Sequence, residues 1–438
     1  MSQTRVTAPA GDPAATPPPA ETAATVLTGR NGRTHSPRYM WGILAIGIGA
    51  QAAFSAAFQG IPTAGAQLES AYHYTDSQLG LVLAAITCGI FVTDVFWGIA
   101  SDRYGERGVL ILGLSGTTLA LAVAAIWFTP ADGHTVAPAG LAVVLFLAGA
   151  LGGCVNGASG RAIMGWFPVS RRGFAISLRV AAVPAGGAIG AGVLPWLAGA
   201  GGFRWVFGFL TAGCLAATLA VLLWLDEPPL ARSKEAKATG TATVSPLRRL
   251  DIWRMASTAF LLDLPQFTVL TFGSVFLHEV KHIPLSTIAA LLVLTQVCGG
   301  ISRVWGGRWT DRRGGRGRRT IVTVYSVFIT AGFLGVAIFE SAPSWLVAGL
   351  LVVSGMLAFG WHGVHYAEIA TMAGAERSGA ALGLENTMVF GGAFVTPLLI
   401  PWLLDLSSWS TVMVLVGAVP ALLSALIMPR EARRKARS

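Results

Sequence analysis

Residues 98–107 read Gly98-Ile-Ala-Ser-Asp102-Arg103-Tyr-Gly105-Glu-Arg107, and residues 307–316 read Gly307-Arg-Trp-Thr-Asp311-Arg312-Arg-Gly314-Gly-Arg316. The pattern G-x-x-x-D-R-x-G recurs 209 residues along the chain. In both copies a long apolar run leads into a short, strongly charged turn. A second pair of segments repeats at an offset of 206: Gly173-FAISL-Arg179 aligns with Gly379-AALGL-Glu385, and Pro195-Trp196-Leu197 with Pro401-Trp402-Leu403. Asn156-Gly157 likewise sits opposite His362-Gly363. Two halves of the chain thus share one pattern, the mark of an internal repeat.

Around these loops the composition leaves one class open. Hydrophobic residues make up 53% of the 438 and charged residues only 12%, against about 25% charged in soluble domains. Twelve apolar stretches follow one another, at about 40–60, 79–100, 108–128, 139–164, 173–199, 203–225, 255–277, 287–309, 319–339, 345–369, 379–403 and 408–428. Each can cross roughly 30 Å of hydrocarbon at about 1.5 Å per residue. The fold expected is an all-α integral membrane protein of twelve transmembrane helices in two pseudo-symmetric six-helix bundles. The organisation expected is a disordered cytoplasmic tail over 1–38, a bundle over 39–225, a cytoplasmic linker over 226–254, a second bundle over 255–428 and a basic cytoplasmic tail over 429–438. The first tail holds six prolines and no apolar core, too little to fold on its own.

Charge placement orients the chain. Of the 31 Lys and Arg, Arg204 and Lys281 alone fall in the loops on one side, and Arg161, Arg179 and Arg303 fall inside spans. All the others lie with the tails and the linker, so both termini are expected in the cytoplasm of a cell membrane. The net charge of +10 is therefore an orientation signal, and no nucleic-acid partner is expected. Cys88, Cys154, Cys214 and Cys298 all lie in apolar runs without a CxxC pair, which reads as packing rather than metal or disulfide chemistry. No P-loop, HExxH or GxSxG occurs, so neither an enzyme nor a cofactor is expected, and energy must come from a solute or ion gradient.

The doubled loop motif, the twelve spans and the central linker resemble the major facilitator superfamily, over about residues 39–430. The resemblance implies alternating access around a cavity between the halves. In the first copy Glu106 stands where the family pattern usually has Arg. The motif residues Gly98, Asp102, Arg103, Gly307, Asp311 and Arg312 are expected to gate. Glycine lets helix ends approach, an Asp can accept from a helix N-terminus, and an Arg can pair with carboxylates or lipid phosphates. Arg161 is expected to support the same gate.

Charges inside spans are costly and mark function. Asp94 and Arg303 each lie eight residues before a motif Asp, at matching places with opposite charge, and Arg179 and Glu385 are matched in the same way. These matches suggest pairing across the axis, with separate satisfaction inside each half as the alternative. Asp94, Arg179, Asp263 and Glu385 are the candidates for charge pairing or proton coupling. His362, His365 and Glu368 share span 10 as a possible relay or as packing residues. The segment around Arg303 is similar to span 8 of the nitrate/nitrite, oxalate–formate and monocarboxylate porter groups, where the resemblance implies contact with an anionic substrate. A guanidinium also suits that role chemically, as a planar fork that never deprotonates. Asp94, where the nitrate group has a second Arg, argues against nitrate, and Glu385, where the oxalate group has Lys, argues against a dicarboxylate. Arg303, Asn156 and His362 are the candidate substrate contacts. The function expected is proton-coupled movement of a small organic monoanion by a monomer in the lipid bilayer. Efflux of an amphipathic metabolite or drug is the alternative, and a membrane sensor the remote one.

The orientation is testable directly. Cysteines placed near Gly240 and at Ser438 should react only from the cytoplasm, and one near Asp132 only from outside. Labelling near Gly240 from outside intact cells would reverse the orientation.

Overall fold

A computed structural model describes residues 27–28, 32–130, 136–156, 166–167, 169–227, 246–313, 315–373 and 378–429. The helices long enough to span a bilayer are α1 (Tyr39–Thr63), α2 (Asp76–Tyr104), α3 (Glu106–Trp127), α4 (Pro138–Asn156), α5 (169–201), α6 (203–224), α7 (Leu250–Val280), α8 (Leu285–Arg312), α9 (Arg318–Ile338), α10 (Ser344–Ala373), α11 (Ser378–Leu406) and α12 (Trp409–Ile427). α5 and α6 form one continuous run, Val169–Trp224, broken at Gly202 with φ of 71°, a left-handed conformation that suits glycine. Only a two-residue strand pair, β1 (Leu27–Thr28) with β2 (Thr34–His35), departs from the helical pattern among the described residues.

Local chemistry sets the helix ends. Thr75 and Gln78 form a reciprocal capping box that opens α2, and Asp76 adds a negative charge where the dipole favours one. Gly105, at φ 91°, closes α2; a Cβ there would lie 2.0 Å from a Glu227 carboxylate oxygen. Pro138 starts α4, where its missing N–H costs nothing. α7 carries Pro265 and then two π-helical stretches, Thr268–Phe272 and Phe276–Val280. α10 breaks at Trp361, between Ser344–Gly360 and His362–Ala373. Such interruptions are tolerated within a bundle because neighbouring helices re-satisfy the freed groups.

The last residues of the amino-terminal segment pack. His35 stacks on Tyr39 at 3.8 Å and bonds Asp226 at 2.9 Å, while Tyr39 donates to the Trp224 carbonyl at 2.6 Å. The start of α1 is thereby tied to the end of α6. The greater part of 1–38, residues 228–245 of the linker, and 430–438 lie outside the described residues.

Small residues set the helix spacing, as apolar association in lipid requires. Within the first six helices Gly149 lies where a Cβ would stand 1.9 Å from the Ile86 carbonyl oxygen, closing α4 on α2. Between the first and last six helices, α2 packs on α11 and α5 on α8. At Gly80 a Cβ would stand 2.1 Å from the Pro397 carbonyl oxygen, and at Gly187 2.4 Å from the Gln296 amide. Gln296 donates to Gln59 at 3.4 Å, and the ring of Phe91 stacks on that of Phe394 at 6.2 Å. These contacts run from the centre of the bundle to the end that carries residues 63–76 and 280–285. Glu69 sits at that end, and burial together with Glu279 and Asp76 pushes its carboxyl up to about 7. At the other end, which carries the tails, no hydrogen bond or ion pair joins the two sets of helices among the described residues. Among the described residues, the contacts that join the two sets of helices lie from the centre to the end that carries residues 63–76 and 280–285.

Replacing Gly80 by Ala should therefore loosen that end. In a background without the four cysteines, a cysteine at Thr271, buried at that end, should react several-fold faster with an impermeant maleimide once Gly80→Ala is added. An unchanged rate would show that the α2–α11 contact does not hold the seal.

Candidate functional site

Halfway along the bundle the apolar packing is interrupted by a layer of polar and charged side chains. In the first six helices it is organised by Arg179 of α5. Its Nη2 donates to Gln51 Oε1 at 2.9 Å, to the Val155 carbonyl at 2.9 Å and to the Asn156 carbonyl at 2.5 Å. Those carbonyls are available because they belong to the last turn of α4, where acceptors lack an intrahelical partner. Gln51 donates in turn to Asn156 Oδ1 at 3.4 Å, and Asn156 donates to Asp94 Oδ1 at 3.4 Å. Asp94 also takes a side-chain hydrogen bond from Asn386 of α11, whose own Oδ1 accepts from Tyr366 of α10. One chain of hydrogen bonds thus crosses from α5 to α10.

In the last six helices the layer holds Arg303, Asp263, His362, His365, Tyr366 and Glu385. Arg303 is 6% exposed and donates from Nε to the Phe359 carbonyl at 3.3 Å. Its other N–H groups have no partner among the described residues. Gly363 lets α10 pass here, since a Cβ would lie 3.1 Å from Arg303 Cγ. Asp263 is completely buried and neither carboxylate oxygen has a hydrogen-bond partner. Its nearest charged partners are Arg303, through the electrostatic interaction of the two, and His362, whose Nε2 is 3.8 Å away. His362 stacks on Trp361 at 3.8 Å. His365 bonds Glu385 through Nδ1 at 2.6 Å and Thr258 through Nε2 at 2.7 Å. The Tyr366 hydroxyl interacts electrostatically with both arginines.

Two expectations change. The pairs suggested by the repeat, Arg179 with Glu385 and Asp94 with Arg303, do not form as ion pairs among the described residues. Arg179 is satisfied by carbonyls and Gln51 on its own side, and Glu385 by His365 on the other. Matched positions in the two repeats are related by rotation about the central axis, which does not by itself bring them into contact. The span-10 grouping of His365 with Glu368 also resolves differently. Glu368 pairs with Arg319 at 2.7 Å, near the end of the helix, and His365 turns inward to Glu385.

Around the gate loops, Gly98 and Gly307 face open space, with nothing within 4 Å of where a Cβ would stand. Among the described residues neither glycine makes the close approach expected of it; Gly105 is crowded instead. Arg103 lies over the Tyr104 ring at 5.4 Å, and Arg313 over Trp309 at 3.8 Å. Arg312 is exposed at the end of α8. Arg161 and the side chains of Asp102 and Asp311 lie outside what the structure describes.

Gln51, Thr258, Tyr366 and Asn386 are the site residues that pattern reading missed. Each was visible as a polar residue inside an apolar span, but none carries a charge. Only the tertiary fold shows which polar residues meet. The assembled layer offers two guanidiniums, buried carboxylates and neutral donors. That set can hold an anion and exchange protons, and it holds no nucleophile–base pair beside an open cleft.

The chain matches the sequence model of the Major Facilitator Superfamily over residues 40–367. It is 33% identical over 382 residues to an uncharacterized MFS-type transporter of Mycobacterium tuberculosis, a match that covers 87% of this chain and 83% of that protein. It is 26% identical over 368 residues to a chloroplastic ascorbate transporter of Arabidopsis thaliana, covering 78% of this chain and 65% of that one. Its fold is similar to the crystal structure of a D-xylose–proton symporter, with a TM-score of 0.70 at 18% identity over 89% of this chain and 97% of the symporter. With its twelve spanning segments, its two copies of the loop motif and this match, the chain belongs to the Major Facilitator Superfamily and is a multi-pass membrane transporter, not an enzyme.

Proposed function

We propose that this transporter moves a small organic monoanion together with a proton by alternating access, as a monomer in the cell membrane with both termini cytoplasmic. The moving bodies are the bundles over 39–225 and 255–428, joined by the linker over 226–254. The state described above is then open to the cytoplasm and sealed outside. Asp102, Asp311 and their loops, with Arg161, close the cytoplasmic end in the opposite state.

Arg303 carries this reading. A guanidinium buried in the middle of a bundle is costly unless its charge is balanced, and here a single backbone carbonyl accepts from it. A carboxylate held by the free fork supplies the missing acceptors and charge. Arg179 belongs to the same layer and interacts electrostatically with Tyr366, as Arg303 does, and Asn156 and His362 are the neutral groups proposed to contact the same anion. Asp94, Asp263 and Glu385 offset the positive charge when substrate is absent, and protonation of one of them makes room for the anion. The similarity to an ascorbate transporter, whose named substrate is the anion of an acid, supports an acid as cargo.

Arg303→Ala should abolish saturable uptake of the cognate acid while the protein still inserts and folds. Arg303→Lys keeps the charge without the fork, so transport should survive with weaker apparent affinity. A charge-assisted contact of about 1.5–3 kcal/mol corresponds to a loss of about ten- to a hundred-fold. Uptake should rise as external pH falls. Transport of neutral or cationic compounds that ignores Arg303→Ala would overturn this reading in favour of efflux.

A further inference from the structure

Thr258, His365 and Glu385 form a closed triad on α7, α10 and α11, and all three are completely buried. Its hydrogen bonds can be completed in two ways that differ by a single proton. The Thr258 oxygen lies 2.7 Å from His365 Nε2 and 2.7 Å from the Met255 carbonyl, yet the hydroxyl has one hydrogen to give. If that hydrogen points to His365, Nε2 is an acceptor, Nδ1–H donates to Glu385, and the His–Glu pair carries one negative charge. If it points to Met255, Nε2 must carry hydrogen to bond the Thr258 oxygen. A proton must still lie between Nδ1 and Glu385 Oε1, because two facing lone pairs at 2.6 Å would repel. The pair is then neutral overall and holds one more proton.

We propose that this triad is the proton store of the transport cycle: it takes up one proton on the His365–Glu385 pair while the Thr258 hydroxyl turns from His365 to the Met255 carbonyl. No heavy atom has to move, and every hydrogen bond of the triad survives both states. A site of this kind can change charge inside an apolar bundle without leaving a buried donor unpaired. The proposal rests on the anion–proton reading above and assigns the proton to one place in it.

The neighbouring groups fit this division of labour. Facing the triad are His362 and Tyr366 on α10, with Asp263 on α7 and Arg303 on α8 beyond them. Trp361 lies with its ring edge-on to His365 at 5.2 Å and flat on His362 at 3.8 Å, separating the triad from the Asp263–His362–Arg303 group. Asp263 remains the local counter-charge of Arg303, and Glu385, with its own histidine, stores the proton. In this state the stored proton is shut off from water, so loading and release belong to other points of the cycle. Thr258 is a positioning residue here: it touches neither substrate nor the carboxylate, and acts through His365.

Proton uptake by the purified full-length protein in lipid nanodiscs, followed with an indicator dye after pH steps and without any substrate, tests this. The wild type should bind about one proton more than Glu385→Gln across the titration. Thr258→Val removes a bond that is made in both states but is charge-assisted only with the protonated imidazole, so the same uptake should move to lower pH, by about one unit. Thr258→Ser, which restores the hydroxyl, should return it to the wild-type position. Equal uptake by Glu385→Gln, or an unmoved titration in Thr258→Val, overturns the proposal; the Thr258 pair decides the matter if Glu385→Gln does not fold. Because no solute is present, failure here leaves Arg303-dependent acid uptake untouched. Absence of such uptake with the titration as expected removes the anion reading instead.

Discussion

Charge buried in hydrocarbon has to be balanced where it lies. Every ion costs several kcal/mol to dehydrate unless partners replace the lost water, and the bundle spends its polar residues on this at one level. Arg179 is balanced by carbonyls at the end of α4, by Gln51 and by the electrostatic pull of Asp94. Glu385 is balanced by His365. Arg303 and Asp263 are left with mainly each other and with few hydrogen bonds. The least satisfied charges of the layer are therefore these two, which interact electrostatically with each other.

The second constraint is steric. Helices in lipid gain little from apolar burial and associate through close packing. At Gly80 and Gly187 the two sets of helices come close enough to exclude a methyl group, while Gly98 and Gly307 near the tails face open space. Gly105, also near the tails, is crowded by Glu227 within its own set of helices. The breaks in α7 and α10 both lie beside the polar layer, after Pro265 and at Trp361. Both fall in the helices that carry Asp263, His362 and His365, where irregular backbone lets side chains be aimed inward.

Much of this was legible in the chain because hydrophobic run length, positive charge in alternate loops and a doubled motif are one-dimensional signals. The spans at 79–100 and 287–309 lie within α2 and α8, and Asp94, Arg179, Asp263, Arg303 and Glu385, charged residues inside spans, lie in one layer, whereas Glu368 pairs with Arg319 near the helix end. Contacts were harder. The match of Arg179 with Glu385 in the repeat invites a pair, yet each has a nearer neutral or histidine partner in its own set of helices. Thr258 and Tyr366 are inconspicuous in an apolar run, since one hydroxyl in a helix usually bonds its own backbone, as Thr268 and Thr271 do. Helix ends were misjudged where a cap, not hydropathy, decides: Thr75 and Gln78 start α2 three residues before the apolar run. Gly98 and Gly307 belong to a motif whose Asp side chains lie outside what the structure describes.

If charge balance in the central layer governs the cycle, one monoanion must travel with one proton and no net charge should cross the membrane. The measurement is acid uptake into proteoliposomes with the membrane potential clamped by valinomycin and potassium at fixed pH gradient. The account predicts that the initial rate follows the pH gradient and is the same at zero and at strongly negative or positive potential. Uptake driven by the potential alone, or a steady transport current, would contradict it.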